Sequence, residues 1–358
     1  MRNSRLGLWI AAAVALALLV GGGIAWAVRS GPDKPSAAPT PVPPASAAPT
    51  TPPTTAPTTP PPSPGADITG PLDLLLVGVD TRVSIPDWQP HADAIMLLHV
   101  ERGLKKAYLY SLPRDLRVTY DGGTHKITEA MSRGAGKQNP DVRKGYELLA
   151  KAVRDYTGIK EIQAGAILTF TGLARLTDQL GGVDLVIDQT VKSRHRRPDG
   201  SLRTLSGGDY IGPQAVYQPG RRHLSGWQAI DYARQRYGLP NGDYDRQRHQ
   251  RQLVAALFDK ALSRDLADDP AALEGIVGAL GETLVYLGGR TPVEYAYALR
   301  GLTAKTITRV SLPGDSVSGS SGYLGERLTA EGKGFVTAVA QGRPAAYLAS
   351  HPGLVDKG

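Results

Sequence analysis

Residues 6–66 restrict where this chain can fold. Leu6 to Val28 is a stretch of 23 residues without a charge, and Pro35 to Ala66 contains only Pro, Ser, Thr, Ala, Val and one Gly. At about 1.5 Å per residue the first stretch is long enough to cross a bilayer core of roughly 30 Å. The second cannot bury a core and is expected to form a semi-rigid polyproline spacer, since 14 of the chain's 28 Pro lie between Pro32 and Pro64. At about 3.1 Å per residue such a spacer reaches up to roughly 100 Å. Arg2 and Arg5 precede the apolar stretch, and Arg29, Asp33 and Lys34 follow it. The positive-inside rule then puts the N-terminus in the cytoplasm and everything after Val28 outside. The competing reading is a cleaved signal peptide. Ala25-Trp26-Ala27 has the form of a cleavage site, but the apolar stretch exceeds the usual length of such a peptide's core. The expected organisation is a cytoplasmic tail (1–5), a transmembrane anchor (6–28), a linker (29–67) and an extracytoplasmic domain (68–350).

The chain has 358 residues and a formal charge of +8, with a pI near 9.5, which calls for an anionic partner. Outward topology removes nucleic acid from the candidates and leaves anionic lipid and phosphorylated glycan. The absence of Cys excludes disulfides and thiolate metal sites.

From Ile68 onward strand and helix patterns alternate. Leu74–Val79, Ala94–Val100 and Ala107–Leu112 read as buried strands, Pro140–Tyr156 as a helix, Ile162–Phe170 as a strand and Thr171–Leu180 as a helix. Val183–Ile187 is a strand after a Gly-Gly turn, and Lys192–Arg203 is a basic loop. Leu224–Arg236 is a helix capped by Ser225, and Asp243 caps a long helix to about Ser263. Helices near Pro270–Leu287 and Pro292–Gly301 and a strand at Thr306–Leu312 complete the pattern, which reads as an α/β domain with a central sheet. Ser111-Leu-Pro-Arg-Asp and Ser311-Leu-Pro-Gly-Asp both end strands; this echo reads as coincidence.

Charged residues gather at strand ends, where α/β proteins present functional groups. Asp80 and Arg82 follow the first strand, Asp93 opens the second, and Arg114 and Asp115 follow the third. Asp80 and Asp93 suit a hard divalent cation completed by substrate phosphate oxygens; alternatively they pair with Arg82 and Arg114 and hold no metal. Between Arg221 and Arg251 there are seven Arg, three Asp and no Lys, a bias toward the fork-shaped donor that grips phosphate. Asp243, Arg246 and Gln250 share one helix face, with Arg234 and Arg236 on the preceding helix. Arg248 and Arg251 are expected to face solvent. Arginines near paired aspartates are what phosphoryl transfer needs.

Several ordered motifs resemble the LytR–CpsA–Psr family, whose members attach glycopolymers to the bacterial cell wall. They are LLLVGVDTR ending at Arg82, HADAIML from His91, SLPRD ending at Asp115, HKIT from His125, LGGV at Leu180–Val183, and Arg234-Gln-Arg236 followed by Asp243-Tyr-Asp-Arg246-Gln-Arg-His249-Gln250. The match covers roughly Asp73 to Ala261. The resemblance implies an α/β/α fold around a largely antiparallel, mixed sheet, placed after an N-terminal transmembrane helix. It also implies a transferase on the outer side of a bacterial plasma membrane that moves the phosphoglycosyl part of a polyprenyl-pyrophosphate-linked glycan onto a peptidoglycan hydroxyl. Asp80 and Asp93 would hold Mg²⁺ (or Mn²⁺). Arg82, Arg114, Arg234, Arg236, Arg246 and Gln250 would grip the pyrophosphate. Arg114, Asp115 and Arg246 would be catalytic, with Asp115 a candidate base by position, and His91, Lys126 and Asp243 would support them. The isoprenoid would lie in an apolar tunnel between sheet and helices. His91, Thr128 and His249 replace the family's Arg, Asn and Arg. The alternatives are a non-catalytic protein that binds or scaffolds anionic wall glycan, and a lipid-pyrophosphate hydrolase.

Overall fold

The computed structural model describes residues 65–80, 88–263, 283–320 and 322–356. The expected anchor, most of the linker, Arg82 and most of the helix expected over 270–287 lie outside them. Among the described residues no helix is long and apolar enough to cross a membrane.

In chain order the strands β1 (Leu72–Val79), β2 (Ala92–Val100) and β3 (Ala107–Leu112) lead to a hairpin of β4 (Arg117–Tyr120) and β5 (Gly123–Lys126). Helices α1 (Thr128–Ala135) and α2 (Val142–Thr157), strand β6 (Ala164–Thr169), helix α3 (Phe170–Gln179) and strand β7 (Val183–Ile187) follow. A run of short strands comes next: β8 (Val191–Lys192), β9 (Thr204–Ser206), β10 (Asp209–Ile211), β11 (Val216–Tyr217) and β12 (Gly220–Leu224). Then come α4 (Gly226–Arg234), α5 (Asp243–Ser263), β13 (Leu284–Gly288), α6 (Pro292–Leu299) and β14 (Ile307–Val310). The hairpin β15 (Gly314–Gly319) and β16 (Gly322–Leu328) and helices α7 (Ala330–Ala340) and α8 (Pro344–Ser350) complete the described chain.

The main sheet has the order β13-β6-β1-β2-β3-β14. Its neighbours are antiparallel at β13/β6, β1/β2 and β2/β3, and parallel at β6/β1 and β3/β14. The central strands read as unbroken apolar runs because both faces are covered. Leu74, Leu76, Met96 and Leu98 pack with Leu176 of α3, Ile230 of α4 and Leu253 and Leu257 of α5. The alternate residues Leu75, Val77, Ile95 and Leu97 pack with Met131 of α1, Leu149 and Val153 of α2 and Phe335 of α7. The result is the expected α/β/α arrangement on a mixed sheet.

Three expectations are corrected. Leu284–Gly288 is an edge strand, not the end of a helix, because its residues continue the sheet antiparallel to β6. The two Ser-Leu-Pro segments are not a chance echo in space: β3 and β14 are parallel neighbours in register Tyr110↔Val310, so the segments leave the sheet side by side. Arg251, expected in solvent, is 1% exposed. Helix α5 packs against β2 and β3 of the sheet and against α4 and β7, and most of its side chains from Tyr244 to Phe258 are buried or half-buried. Arg251 donates from Nε to Asp356 Oδ2 at 2.8 Å and from Nη2 to Asp356 Oδ1 at 3.1 Å and Ser311 Oγ at 2.6 Å. Arg248 is partly covered and pairs with Asp188 at 2.6 Å and Asp245 at 3.2 Å.

Burial pushes the Asp356 carboxyl up, but the charge and hydrogen bonds of Arg251 and the bond from Ser311 outweigh it and hold the carboxyl below its ordinary value. Removing one partner from such a pair costs about 3–5 kcal/mol, because the other charge stays buried alone. Asp356→Ala should therefore lower stability by about that amount in urea titrations at neutral pH, and a loss under about 1 kcal/mol would count against the staple.

His249 stacks on Tyr232 at 4.4 Å between ring centroids and is fully buried. Burial, followed by the charge of Arg248, pushes its pKa down to about 4. The folded state therefore resists a proton that the unfolded chain accepts below pH about 6.5. Stability from this group is complete above pH 6.5 and is lost as the pH falls to about 4, by roughly 3 kcal/mol. Unfolding midpoints measured at pH 7, 5.5 and 4.5 should fall less steeply in His249→Phe than in the wild type.

Candidate functional site

Asp80, Asp93 and Arg114, three of the charged residues singled out at strand ends, converge on one cleft. Asp80 follows β1, Asp93 lies on β2, and Arg114 follows β3. Arg234 ends α4, and Arg236 and Tyr237 begin the connection to α5. A cleft of about 330 Å³ is lined by Asp80, Asp93, Arg114, Arg234, Arg236 and Arg246. Arg194, His195, Tyr210, Gln235 and Tyr237 also line it. Among the described residues, five guanidinium groups and two carboxylates border this space, so it carries a surplus of positive charge suited to an anion.

Each charge is placed by a particular contact. Arg114 Nη1 donates in a short contact to Asp93 Oδ1, and its Nε lies 3.6 Å from Asp115 Oδ1. Lys126 Nζ lies 3.6 Å from Asp115 Oδ2, so Asp115 stands behind Arg114 and is not among the residues bordering the cleft. Arg234 Nη2 is 3.5 Å from Asp80 Oδ2, and its guanidinium sits 4.2 Å from the centre of the Phe170 ring. Arg236 donates to the Tyr237 hydroxyl at 3.0 Å. His91 Nδ1 and Thr128 Oγ1 are buried without hydrogen-bond partners; neither borders the cleft.

Arg246 is the most constrained member. Its side chain is 6% exposed, and its Nη2 lies 2.8 Å from Asp243 Oδ1. The approach lacks hydrogen-bond alignment, so Arg246 Nε and Nη2 and Asp243 Oδ1 remain unsatisfied. Asp243 is held by Gln247, whose Nε2 donates to Oδ2 at 3.1 Å. Burial lowers the Arg246 pKa, with Asp243 and Asp93 acting against it. One turn on, Gln250 is buried with both amide atoms unpartnered. It borders a different space, a narrow apolar slot of about 90 Å³ between the sheet and helices α3, α4 and α5. Leu76, Gly78, Ala94, Met96, Leu253 and Leu257 are among its walls. At Gly78, cross-strand partner of Ala94, a Cβ would come within 3.0 Å of the Ala94 methyl carbon, so this wall of the slot is closely packed. Phe170 and Arg234 border both slot and cleft.

Sequence reasoning missed Arg194 and His195, which lie in the basic loop after β8. The composition marked that loop as basic but did not say where it folds. Asp231 on α4 ties it down: Oδ1 accepts from Ser193 Oγ and Gln235 Nε2, both at 2.9 Å, and Oδ2 accepts from Tyr217 at 2.8 Å. Gln235 in turn accepts from the Arg194 amide at 3.0 Å. Burial, with Arg234 close by, lowers the His195 pKa below its ordinary value.

Burial of the Arg246 guanidinium costs more than its unaligned approach to Asp243 returns, and Asp243 keeps its bond from Gln247 if the charge is removed, so an apolar replacement is expected to cost little stability. Arg246→Met should leave the thermal midpoint unchanged or raise it by about 2–4 °C. In the same variant, calorimetric binding of inorganic pyrophosphate should be lost. A clearly lower midpoint would show that the charge is already satisfied within the fold.

The chain matches the model of the LytR_cpsA_psr family over residues 50–331. It is 28% identical over 287 residues to the cell wall biosynthesis protein LcpA of Corynebacterium glutamicum, covering 71% of this chain and 52% of that one. To the polyisoprenyl-teichoic acid–peptidoglycan teichoic acid transferase TagV of Bacillus subtilis it is 24% identical over 266 residues, covering 72% of this chain and 59% of that one. The chain thus spans about half the length of the curated relatives it matches. Its fold is that of the B. subtilis TagV crystal structure, with a TM-score of 0.58 at 20% identity over 78% of this chain and 98% of that one. It is also that of TagT bound to LI-WTA, with a TM-score of 0.54 at 22% identity over 75% and 89% of the two chains. Together with the ordered motifs, the family match across most of the sequence establishes that this chain belongs to the LytR–CpsA–Psr family.

Proposed function

We propose that this chain is a membrane-tethered, extracytoplasmic phosphotransferase of the bacterial plasma membrane. It moves a glycopolymer from a polyprenyl-pyrophosphate carrier onto peptidoglycan and releases polyprenyl phosphate. The observation that carries this reading is the junction of a strongly cationic cleft with an apolar slot at Phe170 and Arg234. A lipid pyrophosphate is an anion joined directly to a hydrocarbon chain, and the junction offers each part its own environment. Family membership supports the reaction class, since TagT, TagU and TagV are named as teichoic acid transferases to peptidoglycan.

In the proposed reaction an acceptor hydroxyl oxygen attacks the phosphorus that bears the glycan. A bond from that oxygen to phosphorus forms, and the bond from phosphorus to the bridging oxygen breaks. Polyprenyl phosphate leaves with the bridging oxygen and its electron pair, and the hydroxyl proton is released. Arg114, Arg236 and Arg246 hold the phosphoryl oxygens and neutralise the charge that builds on them and on the leaving group. Arg234 anchors the pyrophosphate at the mouth of the slot, and Gln250, whose amide atoms lack partners, reaches the oxygen that joins the pyrophosphate to the chain.

The cleft's carboxylates fit a divalent cation. Asp80 and Asp93 are the two that border it, and no group of three His, Cys, Asp or Glu among the described residues forms a closed metal site. A pair of carboxylates suits Mg²⁺ or Mn²⁺, which keep several waters and take their remaining ligands from phosphate. Such an ion would add Lewis-acid neutralisation of the phosphoryl oxygens.

Transfer should be measured with purified full-length chain, a polyprenyl-pyrophosphate glycan and a peptidoglycan fragment. Arg114→Ala and Arg246→Ala are each expected to lower kcat by about 100-fold or more, and EDTA should abolish turnover that Mg²⁺ restores. Turnover unchanged in both variants would remove Arg114 and Arg246 from the reaction, and no turnover by the wild type would favour a protein that only binds wall glycan. Turnover indifferent to EDTA would leave Asp80 and Asp93 as partners of Arg234 and Arg114. Release of glycan phosphate without transfer would identify a lipid-pyrophosphate hydrolase.

A further inference from the structure

Near the cleft three large apolar side chains are left in water. Leu202 is 66% exposed, Leu205 61% and Ile211 52%. All three lie in or beside the hairpin of β9 and β10, which turns at Gly207 and Gly208, both with positive φ. The base of this segment faces inward. Arg194, His195 and Tyr210 border the cleft, and Leu202 and Tyr210 border a groove of about 510 Å³ next to it. The hairpin itself stands away from the domain, since every residue from Thr204 to Asp209 is exposed.

The hairpin is apolar on both faces. Leu205 is the cross-strand partner of Tyr210, and Thr204 is that of Ile211. Successive side chains of a strand point to opposite faces, so Leu205 and Ile211 lie on opposite faces. A protein surface covers one face of a hairpin and leaves the other in water, whereas a lipid phase surrounds both. Two strands of three residues also fall far short of the about 20–30 residues a side that a stable protein interface takes.

Charge complements this. Between Lys192 and Pro213 the chain carries Lys192, Arg194, Arg196, Arg197 and Arg203 against Asp199 and Asp209. Asp209 lies 3.7 Å from Arg194. The other arginines are held by neutral oxygens. Arg196 Nη1 donates to the Gly200 carbonyl at 2.7 Å, Arg197 Nη2 to Thr204 Oγ1 at 3.2 Å, and Arg203 Nη1 to the Arg194 carbonyl at 2.7 Å. Such bonds fix the guanidiniums without neutralising them. Apolar side chains ringed by uncompensated cations match the boundary of an anionic bilayer, where alkyl groups enter the acyl region and cations meet phosphate headgroups.

We propose that the hairpin Thr204–Ile211, together with Leu202, docks the domain on an anionic bilayer surface and sets the cleft at the level of the lipid headgroups. The point of chain entry makes such a device necessary. Asp67 accepts from Arg290 at 3.1 Å just before β1, and the eight residues of β1 lead from there to Asp80 at the cleft, about 26 Å away. The spacer thus joins the domain at the other end of β1 from the cleft. Its reach of up to roughly 100 Å exceeds that height several times, so the tether alone leaves the cleft without a fixed side toward the bilayer. The proposal takes only this tether from the function given above, and lipid contact is measured without turnover.

The chain has no Cys, so one introduced cysteine can carry a fluorophore. Full-length Ser206→Cys, labelled in this way, should be reconstituted in vesicles of phosphatidylglycerol with phosphatidylcholine and in vesicles of phosphatidylcholine alone, each containing a nitroxide-bearing lipid as quencher. Ala346→Cys is the control, on α8, whose Leu348 packs on the other face of the sheet. In anionic vesicles the Ser206→Cys label should be quenched at least about threefold more than the control. Quenching should weaken in phosphatidylcholine alone and at about 1 M NaCl, where charges are screened beyond about 3 Å. Adding Leu202→Ser, Leu205→Ser and Ile211→Ser should bring it to the control level, with thermal melts showing that the domain remains folded. Quenching no stronger than the control, or equally strong in phosphatidylcholine alone, would overturn the proposal. A label shielded in detergent as protein concentration rises would assign the hairpin to a second copy and overturn it too. A chain that does not float with neutral vesicles would overturn the tether instead, and the same quenching on added anionic vesicles then supports or overturns the hairpin.

Discussion

A buried guanidinium must find its counter-charge inside the protein or in a ligand, and helix α5 carries one of each kind. Arg251 and Arg246 are five residues apart and both are almost wholly covered. Arg251 is closed off by Asp356 and Ser311 and asks nothing further of its surroundings. Arg246 faces Asp243 without alignment and keeps two unsatisfied nitrogens at the wall of the cleft. An unsatisfied buried donor costs about 1–3 kcal/mol, more when charged. The fold carries that cost at the wall of the cleft, where an incoming anion would remove it. The satisfied arginine is part of the structure, and the unsatisfied one is poised for a ligand.

The rest of the cleft is arranged around this arginine by elements far apart in sequence. The sheet delivers Asp80, Asp93 and Arg114 from the ends of β1 to β3, and the packing of α4 against α3 delivers Arg234. That packing is close. A Cβ at Gly226 would come within 2.0 Å of the Ala174 carbonyl oxygen, while the Gly226 amide donates to Asp178 Oδ1 at 2.7 Å. Asp231, one turn before Arg234, then fixes the loop that brings Arg194 and His195 to the opposite wall. Cleft and grooves are rigid to the extent that these packed elements are.

The residues that border the cationic cleft were legible in the sequence because they sit in short, ordered motifs. Charged groups directly after unbroken apolar strands, and arginines in a stretch without Lys, identify Asp80, Asp93, Arg114, Arg234, Arg236 and Arg246. What escaped depends on contacts between distant segments. Arg251 looked like a surface residue because its partner lies 105 residues away at the far end of the described chain. Helix α5 has no single apolar stripe to betray its surroundings, since charged and apolar residues alike are buried. Leu284–Gly288 is a strand by virtue of an available sheet edge, which no local pattern encodes. The loop from Lys192 to Arg203 was basic in either reading, and only its ties to Asp231 and Gln235 turn it inward.

One face of α5 joins the two halves of the proposed site. Arg246, Gln250, Leu253 and Leu257 follow one another at spacings of four, three and four, so they share one face of the helix. Over about 16 Å that face passes from a charge, through an amide, to alkyl chains. Arg246 borders the cleft, and Gln250, Leu253 and Leu257 border the slot. A lipid pyrophosphate changes polarity just as abruptly, at the oxygen linking its phosphate to carbon. Leu253 and Leu257 also hold α5 on the sheet, but the slot they wall opens beside an unsatisfied guanidinium and an unpartnered amide, an arrangement that packing alone does not require. The succession along one helix face therefore argues for a ligand carrying both parts, held with the junction near Gln250.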